Sequence, residues 1–357
     1  MSENGQVVDA DEASFNSKHE KTLGSHLAFE VFQSLHADRK RVAVVDYAGA
    51  KPTEVDAQGL LVLATLLADR LKKATSAKRV GIVLPPGVGG VVANLAVVFA
   101  GKVPVNLNFS LGRAAVESSI DRAGIDLLLS AEKMRAKLKD FPWIPGYLDV
   151  GIALEEIRGS KLRLMRRALV LALPCGLASS LLNIPRKGGD SEAGLLFTSG
   201  SSGMPKGVAL SHRNLLSNCL QLRAIAIIPE GETLLGNLPL FHSFGFTVTL
   251  WFAFCARINL VTVPSPLEVK KGLTAIREQK VSVLLGTPTF LRPFLRKGTE
   301  EDFASVRFIV SGAEKTPAGF ADKWGNDFGC QYLEGYGLTE TSPVLSINRP
   351  DEGTRKG

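Results

Sequence analysis

The chain has 357 residues, 45 % of them hydrophobic, which suffices for one large core or two ordinary ones and excludes disorder throughout. A balance of 42 Lys and Arg against 35 Asp and Glu leaves a formal charge of +7. That excess suits acidic partners such as nucleotides, carrier proteins or anionic lipid, but it lacks the dense basic stripes of a nucleic-acid binder. Cys175, Cys219, Cys255 and Cys330 lie far apart with no C-x-x-C spacing, so neither a zinc site nor a disulfide framework is signalled and a reducing cytosol fits best.

Residues 1–22 are polar and charged, contain no apolar core of the kind a secretory signal needs, and read as a disordered tail. Helical periodicity over 27–36 is followed by a β-branched run at 41–47, and 58–73 is an amphipathic helix. A short strand at 80–84 stops at Pro85-Pro86-Gly87; a buried helix over 91–100, closed by Gly101, leads to a strand at 103–107. A helix at 114–123 and a strand at 126–129 complete the alternation, which ends near residue 150 and implies a parallel sheet covered by helices.

Residues 160–187 break the rhythm. Arg163, Arg166 and Arg167 precede an uncharged stretch over 168–182, and Arg186 with Lys187 follow it. The stretch is too short for a bilayer, which needs ~20 apolar residues. An apolar patch with basic flanks can lie in an anionic membrane surface or guard an acyl-chain entrance; a buried helix hairpin fits the pattern equally well. Ser211 then caps a helix through about residue 226, with Asn214, Asn218 and Gln221 on its polar face. Strands at 233–238, 259–263, 281–285 and 306–310 alternate with helices at 247–255, 266–279 and 290–296. The chain thus divides into a first α/β subdomain over 23–189, with an insertion at 160–187, and a second over 190–357.

The candidate chemistry clusters in the second half. Thr198, Ser199, Gly200, Ser201, Ser202 and Gly203, followed by Met204, Pro205, Lys206 and Gly207, form a glycine- and hydroxyl-rich loop between two apolar strand candidates. Its N–H and hydroxyl groups can converge on an anion, with Lys206 as the point charge. It is not a Walker A loop, because Pro205 precedes the lysine, Gly207 follows it, and strand precedes any helix.

Ligands of such sheets bind where loops leave the carboxyl ends of strands. Three further stretches fall there. Residues 238–246 mix aromatics with His242; Ser311, Gly312, Ala313, Glu314 and Lys315 leave another strand; and Glu334-Gly335-Tyr336-Gly337-Leu338-Thr339-Glu340-Thr341 leave a fourth. A Tyr336 ring between two glycines can lie flat on a purine. Thr339 offers a hydroxyl to a phosphate, and Glu340 the hard oxygen that Mg²⁺ takes alongside substrate phosphates. Gly286-Thr287-Pro288 alone is only a turn.

In order and spacing these motifs resemble those of the adenylate-forming (AMP-binding) superfamily, over residues 195–349. The phrases at 238–245, 312–315 and 334–344, with Asn106-Leu107-Asn108, are most similar to the acyl-ACP synthetase part, akin to long-chain fatty acid-CoA ligases, of 2-acylglycerophosphoethanolamine acyltransferases. The resemblance implies a ligase of fatty acid and lipid metabolism, with a role in phospholipid remodelling. A fatty carboxylate attacks the α-phosphate of ATP, and the acyl-adenylate then passes to a thiol, that of CoA or of the phosphopantetheine of an acyl carrier protein. It also implies roles. Lys206 and the loop hydroxyls hold the β- and γ-phosphates, Thr339 the α-phosphate and Glu340 the Mg²⁺, and His242 lines the acyl site near the carboxylate. The turn at 311–315, carrying Gly312, Ala313 and Glu314, lies on the adenine side, and Glu334 to Gly337 belong to the nucleotide motif.

The implied architecture is two stacked α/β subdomains with largely parallel sheets, without the family's barrel subdomain and C-terminal lid domain. With those go the ribose-binding Thr-Gly-Asp motif, the hinge and the adenylation lysine, so the expectation is an N-terminal fragment incomplete for catalysis. The expected location is cytoplasmic, with contact at the inner face of a membrane through 160–187. The competing expectations are a non-catalytic acyl- or nucleotide-binding module and a membrane-associated structural protein.

Overall fold

The computed structural model describes residues 12–198, 204–225 and 227–350. Its strands, in chain order, are β1 (Val42–Asp46), β2 (Thr53–Asp56), β3 (Arg79–Ile82), β4 (Val103–Asn106), β5 (Leu128–Ser130), β6 (Tyr147–Asp149), β7 (Glu192–Thr198), β8 (Lys206–Ser211), β9 (Thr233–Gly236), β10 (Asn259–Thr262), β11 (Val283–Gly286), β12 (Phe308–Ser311), β13 (Gln331–Gly337) and β14 (Val344–Ile347). They form an eight-stranded sheet in the order β14-β13-β12-β11-β9-β10-β1-β2, a four-stranded sheet in the order β4-β3-β5-β6, and the hairpin β7-β8. The four-stranded sheet is parallel throughout, and the larger one is parallel except at its two edges, where β2 and β14 run antiparallel to their neighbours.

The sheets therefore do not follow the linear division at residue 189. β1 and β2, from the first half, complete the larger sheet, while β7 runs beside β4 of the smaller one. The exchange follows from burial. Leu195 and Phe197 of β7 share a core with Val83, Val105 and Leu128, whereas Val45 and Tyr47 share one with Leu235, Val261 and Leu284. A third core lies between the sheets and receives alternate residues of both, among them Val44, Leu234, Leu260 and Val283 from one and Val80, Ile82 and Leu129 from the other. Strands buried on both faces read as unbroken apolar runs, which is why the sequence exposes them clearly.

Asp46 ties the layers together. It is 8 % exposed, and its carboxylate accepts from Val88 N (2.8 Å), Ala48 N (3.0 Å) and Thr262 Oγ1 (2.9 Å), so it caps the helix Val88–Phe99 from the other sheet's strand. The helix His212–Ala224 opens with the expected cap. Ser211 Oγ accepts from Asn214 N at 3.1 Å, and Asn214 Oδ1 accepts from Ser211 N at 2.9 Å.

Several expectations need correction. Residues 12–22, read as part of a disordered tail, belong to the helix Glu12–Leu23. Strands β2 and β6 are additions; β2 is an edge strand with only Val55 buried, so it lacks the apolar run that reveals inner strands. The apolar helix expected over 247–255 starts earlier and is a π-helix, Phe244–Phe252, that tightens into Ala253–Cys255. Glu334 to Gly337 lie within β13 rather than in a loop beyond it. The 160–187 segment folds as two helices, Lys161–Ala172 and Cys175–Leu181, whose inner residues Leu171 and Ala178 are buried while their outer leucines are not. Among the described residues no barrel closes, and no helix is long and apolar enough to cross a membrane.

Candidate active site

β9, β11, β12 and β13 are parallel neighbours whose carboxyl ends share one edge of the larger sheet, and the β7-β8 hairpin packs on the turn that follows β13. Thr198 and Lys206 are register partners at the hairpin's open end, so the glycine-rich loop leaves and re-enters the fold at a single point. Ser199, Gly200, Ser201, Ser202 and Gly203 lie outside the described residues. Lys206 is exposed, and the base of its loop is held from the smaller subdomain by Arg122, whose Nη1 donates to Pro205 O at 2.6 Å. Strand β8 packs against the 3₁₀ turn Thr339–Thr341.

That turn is braced on two sides. Thr341 Oγ1 accepts from Leu338 N at 2.9 Å, closing it locally. Asn218, placed on a polar helix face by sequence, is in fact buried; its amide donates to Val344 O (2.8 Å) and accepts from Val344 N (3.2 Å), locking β14 to the helix that follows β8. Gly337 permits the doubling-back of β13 on β14, since a Cβ there would sit 1.8 Å from Pro343 O. Thr339 is half-buried and Glu340 exposed, so the hydroxyl is oriented by its surroundings while the carboxylate is free to reach a ligand.

His242 follows β9 at the head of the π-helix. Its ring packs on Phe241 (centroids 4.8 Å apart), which meets Phe109 of the smaller subdomain edge-on at 5.1 Å. Desolvation holds the His242 pKa below its ordinary value, so the imidazole is neutral at neutral pH. The next residue, Ser243, joins the two motifs: Thr339 Oγ1 donates to Ser243 Oγ at 3.3 Å. Between the π-helix and the sheet, Ile225, Phe244, Val248, Phe252, Leu285 and Val310 line an apolar cavity of only about 20 Å³, room for roughly one water.

The turn after β12 lies beside the nucleotide motif. A Cβ on Gly312 would stand 3.1 Å from Gly335 O, and Ser311 pairs in register with Glu334. Ala313 has φ +68°, a left-handed turn that swings Glu314 toward the neighbouring loop. There Glu314 Oε2 accepts from Thr289 Oγ1 (2.6 Å) and Thr289 N (3.1 Å). Gly286-Thr287-Pro288 is thus more than a turn: Thr287 caps the helix Pro288–Lys297, and that helix anchors Glu314. The Tyr336 ring is 59 % exposed, with a face available for stacking.

Contacts link the described candidate stretches in pairs: β8 with the turn 339–341, Thr339 with Ser243, and Gly312 with Gly335. The sequence reading missed Phe109, Arg122, Asn218, Ser243 and Thr289, which act through neighbours, and only Ser243 lay inside a motif. Among the described residues no group of three or more His, Cys, Asp or Glu side chains could hold a metal by itself. Glu340 stands as a single exposed carboxylate, the donor set of an ion that takes its other oxygens from a phosphate ligand and water.

Comparison with known proteins bears on the family and the fold. A long-chain-fatty-acid–CoA ligase of Bacillus subtilis (strain 168) is 32 % identical over 177 residues, a match spanning 48 % of this chain and 31 % of that protein. The N-terminal domain of FACL13 from Mycobacterium tuberculosis superposes with a TM-score of 0.74 at 20 % identity, over 89 % of this chain and 77 % of that one. ATP-bound MatB from Rhodopseudomonas palustris superposes with a TM-score of 0.71 at 24 % identity, covering 91 % and 62 %. The fold is the mostly parallel α/β fold of an adenylate-forming ligase N-terminal domain. The match to the Bacillus ligase spans about a third of that protein's length. The profile of the AMP-binding enzyme family matches residues 32–357, and the chain belongs to that family.

Proposed function

We propose that this chain carries the site at which a fatty acid is activated by ATP as an acyl-adenylate and then passed to a thiol, that of CoA or of an acyl carrier protein. The observation that carries the reading is the Ser243–Thr339 contact, because it joins the stretch that holds His242 to a hydroxyl-bearing turn packed against β8, the strand that Lys206 opens. A carboxylate bound beside His242 lies next to the group assigned to the α-phosphate. Similarity to a fatty acid ligase and to an ATP-bound structure supports the same assignment.

In this reading a carboxylate oxygen bonds to the α-phosphorus while the bond from that phosphorus to pyrophosphate breaks. The thiol then attacks the acyl carbon, and AMP departs with the former carboxylate oxygen. Lys206 and the loop hydroxyls neutralise charge on the β- and γ-phosphates, Thr339 orients the α-phosphate, and Glu340 holds Mg²⁺, which supplies Lewis-acid charge compensation. Tyr336, with the Gly312–Glu314 turn and the Glu334–Gly337 end of β13, sandwiches the adenine. A neutral His242 lines the carboxylate's path without trapping it in an ion pair. The proposed location is cytoplasmic, at the inner face of a membrane, in keeping with a role in phospholipid remodelling. The test is fatty-acid-dependent ATP–pyrophosphate exchange by the gene product. Exchange that rises with fatty acid supports the reading. ATP binding without exchange across carboxylic acids of varied length would instead indicate a non-catalytic binding module.

A further inference from the structure

The helices Lys161–Ala172 and Cys175–Leu181 carry large apolar side chains on the face turned to water as well as on the face against the protein. On the first, the side against the protein carries Leu164, Leu171 and Arg167; Leu171 is fully buried, and the Arg167 guanidinium, 12 % exposed, turns inward to pair with Asp69. The opposite side carries Leu162, Met165 and Leu169 at helical spacing, continued on the second helix by Leu177 and Leu181. These five side chains are 50–67 % exposed. A surface helix normally places its cations outward and its leucines inward, and a contiguous outward apolar stripe marks an interaction site.

Lys161, Arg163 and Arg166 flank the stripe; all are exposed, and none has an ion-pair partner among the described residues. Residues 158–187 contain Arg158, Lys161, Arg163, Arg166, Arg167, Arg186 and Lys187 and no carboxylate.

We propose that this face docks on an anionic phospholipid bilayer. The two helices lie in the interfacial plane, with Leu162, Met165, Leu169, Leu177 and Leu181 among the upper acyl carbons and Lys161, Arg163 and Arg166 at the headgroup phosphates. Apolar contact and attraction to anionic lipid are the two terms that hold an interfacial helix. Protein-protein contacts concentrate their energy in Trp, Tyr and Arg anchors. Here the stripe is aliphatic without any ring, and the cations form a border of one sign, as a lipid surface requires. The inference uses no residue of the candidate site and does not rest on the activity proposed for it.

The experiment is flotation of the 357-residue chain with vesicles of phosphatidylcholine alone or mixed with phosphatidylglycerol. The chain is expected to float with the anionic vesicles, less so as salt rises. Arg163→Gln with Arg166→Gln should weaken binding about fivefold per charge. Leu162→Gln with Met165→Gln and Leu169→Gln should weaken it about tenfold or more, with an unchanged thermal melt because all three face outward. Absence of flotation by the unaltered chain, or equal flotation by both variants, overturns the proposal. So does a dimer that the leucine variant dissolves, or capture by an acidic carrier protein, if either occurs without vesicle binding.

Discussion

The two sheets are built by the same rule yet contribute unequally. The eight-stranded sheet carries His242, Glu314, Tyr336, Thr339 and Glu340 at or beyond three strand ends, those of β9, β12 and β13. The four-stranded sheet sends Phe109 and Arg122, and each touches a site residue or its neighbour. One sheet presents chemical groups, and the other fixes their frame. The topology explains the asymmetry, since the β7-β8 hairpin lies beside the smaller sheet while the helix after it locks onto β14 of the larger one. Lys206 thus sits at the seam.

Breaking the presenting side should have the largest effect. Lys206→Ala or Glu340→Ala should lower ATP–pyrophosphate exchange by about 10²–10³, and calorimetry should show unchanged melting because both side chains are exposed. Unchanged exchange in either variant would remove that residue from the mechanism.

Breaking the ties between the layers should show in stability instead, because Asp46, on β1 of the larger sheet, holds a helix that connects strands of the smaller one. Asp46→Ala strands the Val88 and Ala48 N–H groups and the Thr262 hydroxyl, so urea unfolding should report a loss of roughly 2–4 kcal/mol. His26 and His212, their rings tilted at 41° with centroids 3.7 Å apart, accept from Ala28 N and Leu27 N respectively. Burial, reinforced by mutual repulsion, holds His26 at about 3; burial, with Lys78 nearby, holds His212 at about 4. The unfolded chain takes up these protons first, near 6.5. Stability from the pair is therefore present above pH 6.5 and lost as pH falls toward 4 and then 3. His212→Leu should cost about 1–3 kcal/mol at neutral pH, and unfolding measured across mildly acidic pH should show a shallower acid loss than in the unaltered chain.

The smallest effect belongs to the link between the two sides. Arg122→Met removes one exposed donor to Pro205 O, and the KM for ATP should rise about fivefold with kcat nearly unchanged. A fall in kcat alone would mean that Arg122 acts on the reacting groups directly.

Inner strands and capped helices were legible because burial on both faces writes continuous apolar runs, and because Ser211 and Asn214 form a local cap. Edge strand β2, with polar residues and one buried valine, carries no such signal. The π-helix was legible as apolar but not as wide-turned, since its period depends on tertiary packing. Of the site, the residues that present chemistry stood in contiguous motifs. Those that hold them did not: Asn218 looks like any polar helix residue until β14 is placed against it, and Arg122 like any surface cation until the hairpin lies beside it. The 160–187 segment was legible as apolar and basic, but which side faced out could be decided only by the inward turn of Arg167.

The central claim is that the site joins a carboxylate to the α-phosphate. The most direct measurement follows a heavy-oxygen label from the fatty acid carboxylate into the nucleotide product, using the gene product with ATP and CoA. The account predicts that the label appears in AMP. Label in inorganic phosphate, with ADP as the nucleotide product, would contradict it.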